Sequence, residues 1–410
     1  MDEIINYQIK GFGPINNLDM DIGKINIVGG HNATGKSTAS KLLYCFLKAN
    51  SNKRQDFAYD ALIRSITSIL LRLDRHRREI NDLDLIELLD AYEESKEKYL
   101  LSDNDNKFIN NDIEDIDNSI DEIEKNGNDL YLSLLKNLLQ IELLTKFFEG
   151  YISIKDDSNN DFEFSADFNS NDEVFTSKGS LDIYDVFYID SFSIFDLDRL
   201  PSSIRIRHQN YYDHVDYLRL ILKDSEDESK GLFDSKWNKK IISVEKKVEE
   251  IIGGRIEYNG RKFVFIPNNS KSFDMQNTAS GIKQIGVIQL LLSNRKLKED
   301  SFLIIDEPEV NLHPEWQFKL AEILILLVKE LNISLYINTH SPMFIEAIEV
   351  FSQYYDLTDE CYYYLTEKDK NYDAYNFKYI PFDDLYELYD NLAKPYLFME
   401  DYRIKIKHSK

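Results

Sequence analysis

The stretch Gly29-Gly30-His31-Asn32-Ala33-Thr34-Gly35-Lys36-Ser37-Thr38 follows the apolar run Ile25-Asn26-Ile27-Val28 and precedes the helical pattern SKLLYCFLKA. It decides the fold, because Gly30 to Ser37 matches G-x-x-x-x-G-K-[ST] between a strand and a helix, the context in which that pattern has a physical meaning. Glycines let such a loop wrap with its amides turned inward. A helix starting near Gly35 adds N-terminal N–H groups that attract an anion. In that arrangement Gly30, His31, Asn32, Ala33, Thr34, Gly35, Lys36, Ser37 and Thr38 cradle phosphates. Lys36 reaches the β- and γ-phosphates, and the Ser37 hydroxyl is a ligand for Mg²⁺.

A chain of 410 residues is long for one simple core and suits a core domain carrying insertions; 43% hydrophobic residues are enough for a real interior. No run of eighteen apolar residues occurs, and the opening MDEIINYQIKG is charged where a signal peptide needs an apolar segment. A cytoplasmic protein without membrane contact is expected. Cys45 and Cys361, far apart and outside CxxC spacing, read as two reduced, buried thiols. The net charge of -24 repels nucleic acid and anionic lipid from most of the surface. A nucleic-acid partner would need a local basic patch. The densest is Arg72, Arg75, His76, Arg77 and Arg78, with Arg205, Arg207 and His208 as a second; the plainer reading is a solvated helix face.

Along the chain, residues 1–53 carry short strands, the phosphate loop and a helix, the first part of a head domain. Residues 54–150 show helical spacing with dense charge but no sustained heptads, which predicts a compact helical insertion rather than a coiled-coil arm. Residues 151–395 return to alternating strands and helices, including a hairpin at Asn259-Gly260, and 396–410 form a tail. Strands alternating with helices around a phosphate loop predict an α/β fold with a mixed sheet.

Three further stretches carry chemistry. In Phe302-Leu303-Ile304-Ile305-Asp306-Glu307-Pro308 a buried strand delivers two carboxylates at its C-terminal end: Asp306 suits a Mg²⁺ ligand, and Glu307 suits a base that polarises water. His340, ending the next strand in INTHSP, suits a hydrogen bond to a γ-phosphate. Ser280-Gly281 in TASGIKQ opens an apolar helix and offers an anion site, the plainer reading being an N-cap. Tyr7 and Phe12 are candidates to stack on adenine. The paired tyrosines Tyr211-Tyr212, Tyr354-Tyr355 and Tyr362 to Tyr364 read as packing residues.

Taken together, these residues resemble the ATP-binding-cassette type of ATPase head, in the soluble branch that contains the SMC, RecF and OLD proteins. DEPEVNLHPEWQ (Asp306 to Gln317) is similar to that branch's acidic motif, ASGIKQ to its signature motif and NTHSP to its switch-histidine motif. Small standalone members include the PtuA ATPase of Septu antiphage systems. The resemblance spans about residues 1–50 and 185–395. It implies a P-loop NTPase head that binds ATP with Mg²⁺ and dimerises head to head. Each ATP is then held between one subunit's Gly30–Ser37 loop and the other's Ser280-Gly281, with Lys36, Glu307 and His340 catalytic, and Asn311 and Leu312 at cross-subunit contacts. Two departures stand out. The glutamine that membrane transporters use near the metal has no counterpart in DVFYIDSFSIFD, where Asp190, Ser191 and Ser193 are the candidates. A C-terminal nuclease domain of the OLD kind is not expected. The implied function is an ATPase that controls a separate effector, a nuclease or toxin, in antiphage defence. The alternatives are a RecF- or SMC-like DNA-repair ATPase and a nucleotide-gated scaffold with little turnover; a transporter subunit ranks below both.

Overall fold

The computed structural model describes residues 4–52, 54–73, 85–100, 107–124, 128–143, 149–156, 162–169, 172–179, 181–190, 192–195, 213–223, 235–268 and 271–408. The first three strands are β1 (Ile5–Phe12), β2 (Ile15–Ile22) and β3 (Ile25–Gly29), followed by helix α1 (Lys36–Asn50). Helices α2 (Arg54–Leu73), α3 (Leu85–Leu100), α4 (Lys107–Glu124) and α5 (Asn128–Leu143) build the lobe. Then come β4 (Gly150–Asp156), β5 (Glu163–Asn169), β6 (Asp172–Lys178) and β7 (Val186–Ile189), with helices α6 (His214–Lys223) and α7 (Ser235–Ile252). The hairpin β8 (Gly254–Tyr258) and β9 (Phe263–Pro267) leads through the short β10 (Phe273–Asp274) to α8 (Ser280–Ser293). The chain ends with β11 (Phe302–Asp306), α9 (Pro314–Leu331), β12 (Ser334–Thr339), α10 (Pro342–Tyr354), β13 (Cys361–Lys368), β14 (Tyr375–Ile380) and α11 (Tyr386–His408).

Eleven strands form one sheet in the order β6-β5-β4-β1-β2-β14-β13-β3-β12-β11-β7. Strands β13, β3, β12, β11 and β7 run parallel to one another, β14 is antiparallel to β13, and β2, β1, β4, β5 and β6 alternate in direction. The composition of each half follows from what covers it. Both faces of the parallel half are packed, so β3, β11 and β12 are buried at every position. In β1 and β2 buried and open positions alternate, and Ile5, Tyr7 and Ile9 face the core. This is the mixed α/β fold the alternation of elements predicts.

The helical lobe is tied to the core through α1. Phe164 of β5 lies with its ring centroid 4.6 Å from Phe46 of α1 and 5.7 Å from Tyr131 of α5, so one aromatic cluster joins sheet, phosphate-loop helix and lobe. The expected hairpin is present. Gly260 adopts φ 82°, and the Asn259 carboxamide accepts the amides of Arg261 and Lys262. No helix among the described residues is long and apolar enough to cross a membrane. Cys45 and Cys361 are free and buried.

Candidate functional site

Strand β3 ends at Gly29, in register with Thr339 of β12, and Asn338 pairs with Asp306 of β11. Parallel pairing therefore brings the end of β3, the acidic pair and the residue before His340 to one edge of the sheet, the place where parallel α/β sheets bind ligands. The loop between β3 and α1 turns through Gly30 (φ 156°), Ala33 (φ 61°) and Gly35 (φ 95°). Gly30 is required for space as well: a Cβ there would sit 1.8 Å from Thr366 Oγ1 of β13. Thr366 in turn donates to Thr34 Oγ1 (2.9 Å), and Thr34 donates to the His31 carbonyl (2.9 Å). The Lys36 ammonium curls back into the loop and donates to the carbonyls of Gly30 (2.9 Å) and His31 (2.7 Å). Burial pulls Lys36 below the usual lysine range, while the charges of Glu307, Asp306 and Glu309 pull it back up. His31, Asn32, Ala33 and Ser37 are exposed and Thr38 is half-buried.

Both oxygens of Asp306 are held. Asn338 Nδ2 donates to Oδ1 (2.9 Å) and the Tyr188 hydroxyl to Oδ2 (3.3 Å). Asn338 also donates to Ser40 Oγ (2.8 Å), which lies 3.0 Å from the Tyr188 hydroxyl. Burial, then the charge of Asp306, raises Tyr188 well above the usual phenol range and keeps it a donor. None of Ser40, Tyr188 and Asn338 is singled out by a sequence motif; they are found only when α1, β7 and β12 come together around β11.

Glu307 has φ 53°, uncommon for a residue with a side chain. Its amide donates to the Asn338 carbonyl (2.9 Å), and its partly exposed carboxylate lies 3.6 Å from His340 Nδ1. Glu309, two residues on, was not a sequence candidate although it stands inside DEPE. It is 5% exposed, and its Oε1 accepts from Thr339 Oγ1 (2.7 Å), His340 N (2.7 Å) and Ser341 N (3.1 Å), with His340 Nδ1 also 3.1 Å away. Ser341 caps α10 by accepting the Phe344 amide.

Ser280 is exposed at the start of α8, whereas Gly281 beside it is buried. Ala279, not Ser280, occupies the N-cap position of α8, and no side chain caps it. This corrects the plainer reading of Ser280: its hydroxyl donates instead to the Asn311 carbonyl (2.7 Å), and Gln284 Nε2 donates to the Val310 carbonyl (2.9 Å). Asn311 has φ 62°. Gly281 is packed so closely under the Trp316 indole that a Cβ would meet Cδ2 at 2.7 Å. Lys36, Asp306, Glu307 and His340 thus share one region. The described contacts of Ser280 and Gly281 are to the turn after the acidic motif.

At the end of β7, where a transporter would carry its glutamine, Asp190 is engaged elsewhere. Its Oδ2 lies 2.9 Å from His214 Nε2, and His214 Nδ1 lies 2.6 Å from Glu142 Oε2 of the lobe helix α5. The same carboxylate accepts the His214 amide (2.7 Å). Burial disfavours the charged imidazole, but the hydrogen bonds and charges of Asp190 and Glu142 outweigh it and push His214 up to about 9. Beside it, buried Lys48 of α1 pairs with Asp185, which also accepts from the Tyr217 hydroxyl (2.7 Å).

Other candidates fare differently. Tyr7 and Phe12 are 0% and 1% exposed, and the Tyr7 hydroxyl donates to the Ala39 carbonyl, so neither ring is open to stack on a base. Arg72 is paired with Asp112 of α4 (2.6 Å). Arg75, His76, Arg77, Arg78, Ser191, Arg205, Arg207, His208, Tyr211 and Tyr212 lie outside the described residues, as does the side chain of Ser193. Tyr363 and Tyr364 are buried packing residues, as read, whereas Tyr354 is 75% exposed.

A family model described as "AAA domain, putative AbiEii toxin, Type IV TA system" matches residues 25–346, from the start of β3 into α10. No curated protein matches the sequence. Among solved structures the chain is similar to an SMC head domain from Thermotoga maritima, at 10% identity over 92% of this chain and 99% of that one, with a TM-score of 0.43. It is similar also to an Smc head bound to the C-terminal winged-helix domain of ScpA, at 10% identity over 94% and 99%, with a TM-score of 0.47. A third is the Pyrococcus furiosus Smc head with an extended coiled coil bound to the C-terminal domain of ScpA, at 11% identity over 98% and 100%, with a TM-score of 0.42. Identities of this size carry no functional information.

Proposed function

Since the chain belongs to the AAA-domain family whose model spans residues 25–346, we propose that it is an ATP-hydrolysing head of the ATP-binding-cassette type that works as a homodimer and controls a separate effector protein. The observation that carries this reading is the single sheet edge holding the Gly30–Gly35 loop, Lys36, Asp306, Glu307 and His340, while Ser280 stands exposed at the start of α8, with Gly281 buried behind it. Such a site is half of a composite one: it cradles the phosphates of one nucleotide and offers a helix N-terminus to a second copy's nucleotide.

The donor set fits Mg²⁺, which prefers hard oxygen ligands: the exposed Ser37 hydroxyl and the fixed Asp306 carboxylate would hold it. When bound, the ion supplies positive charge to the phosphate oxygens. Lys36 neutralises the β- and γ-phosphates once its ammonium leaves the loop carbonyls. Glu307, partly exposed beside His340, orients and polarises the attacking water, and His340 donates a hydrogen bond to the γ-phosphate. The effector is a nuclease or toxin and the setting antiphage defence in the cytoplasm, as for standalone ATPases such as PtuA of Septu. The toxin–antitoxin wording of the family description supports that setting. A nucleic-acid role is disfavoured by the net charge of -24 and by the engagement of Arg72 with Asp112.

The test is Glu307→Gln. With ATP and Mg²⁺ this variant accumulates as a dimer in analytical ultracentrifugation while turnover falls about a thousandfold. A monomer at every nucleotide concentration sinks the dimer, and a wild-type chain without turnover sinks hydrolysis in favour of a nucleotide-gated scaffold.

A further inference from the structure

The segment Glu309-Val310-Asn311 is held at both ends by elements with different tasks. At one end a single oxygen of the buried Glu309 carboxylate collects the Thr339 hydroxyl and the amides of His340 and Ser341, fixing the turn from which the imidazole projects. At the other end, one and two residues later, the carbonyls of Val310 and Asn311 take Gln284 and Ser280 of α8. Few ways exist for the segment to absorb a shift internally. Leu312 N donates back to the Glu309 carbonyl (3.0 Å), Val310 N to the Glu307 carbonyl (3.1 Å), and Asn311 already sits at φ 62°. A displacement of the His340 turn is therefore passed to the start of α8.

We propose that Glu309 is a positioning residue: it sets the place of His340 and couples that place to Ser280 within the same subunit. Resting on the composite-site reading above, this gives the dimer a physical link between its two sites. The turn that meets one nucleotide's γ-phosphate is joined by three residues to the helix start that meets the other nucleotide. A carboxylate suits the task because one of its oxygens accepts several donors, and charge-assisted bonds are stronger than neutral ones.

Steady-state ATP turnover of the full chain tests it with Glu309→Ala, Glu309→Gln, Ser280→Ala and their double variants. Glu309→Ala lowers kcat about 30-fold and moves KM less than about threefold, because a misplaced His340 is missed in the transition state more than in substrate binding. Glu309→Gln, whose amide oxygen accepts the same donors, keeps kcat within about fivefold. The double variant Glu309→Ala with Ser280→Ala is no more than about twofold slower than the slower single one, since both break one connection. Equal losses in Ala and Gln, a rise in KM matching the loss in kcat, or losses that multiply would each overturn the proposal. If Glu309→Ala does not fold, Thr339→Val with Ser280→Ala carries the same cycle. A wild-type chain without ATP turnover refutes the ATPase reading; turnover with multiplying losses refutes only this coupling.

Discussion

Two histidines in this protein each face a pair of carboxylates, at different depths. His340 is 40% exposed at the sheet edge, beside Glu307 and Glu309. His214 is 7% exposed, wedged between Glu142 of the lobe and Asp190 at the end of β7. Where water reaches the imidazole, partners can be exchanged at little cost, which suits the phosphate contact proposed for His340. Where it is excluded, the same chemistry joins α5, α6 and β7, and removing any member strands charge in a poor solvent. Depth, rather than residue type, separates a responsive contact from a fixed one.

The largest expected effect lies on the shallow side. Glu307→Gln, about a thousandfold slower in turnover, keeps its Tm within about 2 °C because its carboxylate is partly solvated. A large drop in Tm would erase the contrast. Next comes the deep side: His214→Ala leaves Glu142 and Asp190 uncompensated, costs about 3 kcal/mol and lowers Tm by roughly 3 to 5 °C in calorimetry. The pH response sharpens the same point. The folded His214 is pushed up to about 9 from an ordinary value of 6.5, so its contribution to stability is full below about 6.5 and is lost as pH rises through about 9. Urea titrations at pH 6.5 and 9.5 show a falling midpoint for the wild type, and a smaller fall for His214→Ala. An equal fall in both would assign the alkaline loss to other groups. The smallest effect tests the packing at the start of α8. Gly281→Ala forces the Trp316 indole to shift and costs about 1 to 2 kcal/mol, read as a lower urea midpoint. An unchanged midpoint would mean the indole moves freely.

The phosphate loop, the acidic pair and His340 were legible because their chemistry is concentrated in short runs at strand ends, where spacing alone fixes relative position. The strands themselves were legible for the same reason: apart from Asn26 and the terminal Asp306, INIVG and FLIID are apolar, and burial on both faces follows. What supports the site was not. Asn338 and Asp306 are 32 residues apart, Tyr188 and Asp306 118, and His214 and Glu142 72, and no local pattern marks such pairs. Glu309 was in plain view two residues past Glu307, but an acid after a strand reads as solvent-facing, and its burial depends on the β12 turn closing over it. Tyr7 failed as a base-stacking candidate because the alternation of β1 turns it toward the core, and Phe12 because the alternation breaks at Lys10 and Gly11 and leaves it buried as well.

The sheet order also sets a schedule. Strand β3 carries the phosphate loop near the N-terminus, yet its two neighbours are β12 and β13, made of residues 334–339 and 361–368. Gly30 rests against Thr366, so the loop lacks its walls until Thr366 has left the ribosome. At about 5 to 20 residues per second that interval is roughly 15 to 60 seconds, longer than most domains take to fold. A nascent chain that stops short of Thr366 is thus unable to shape this site.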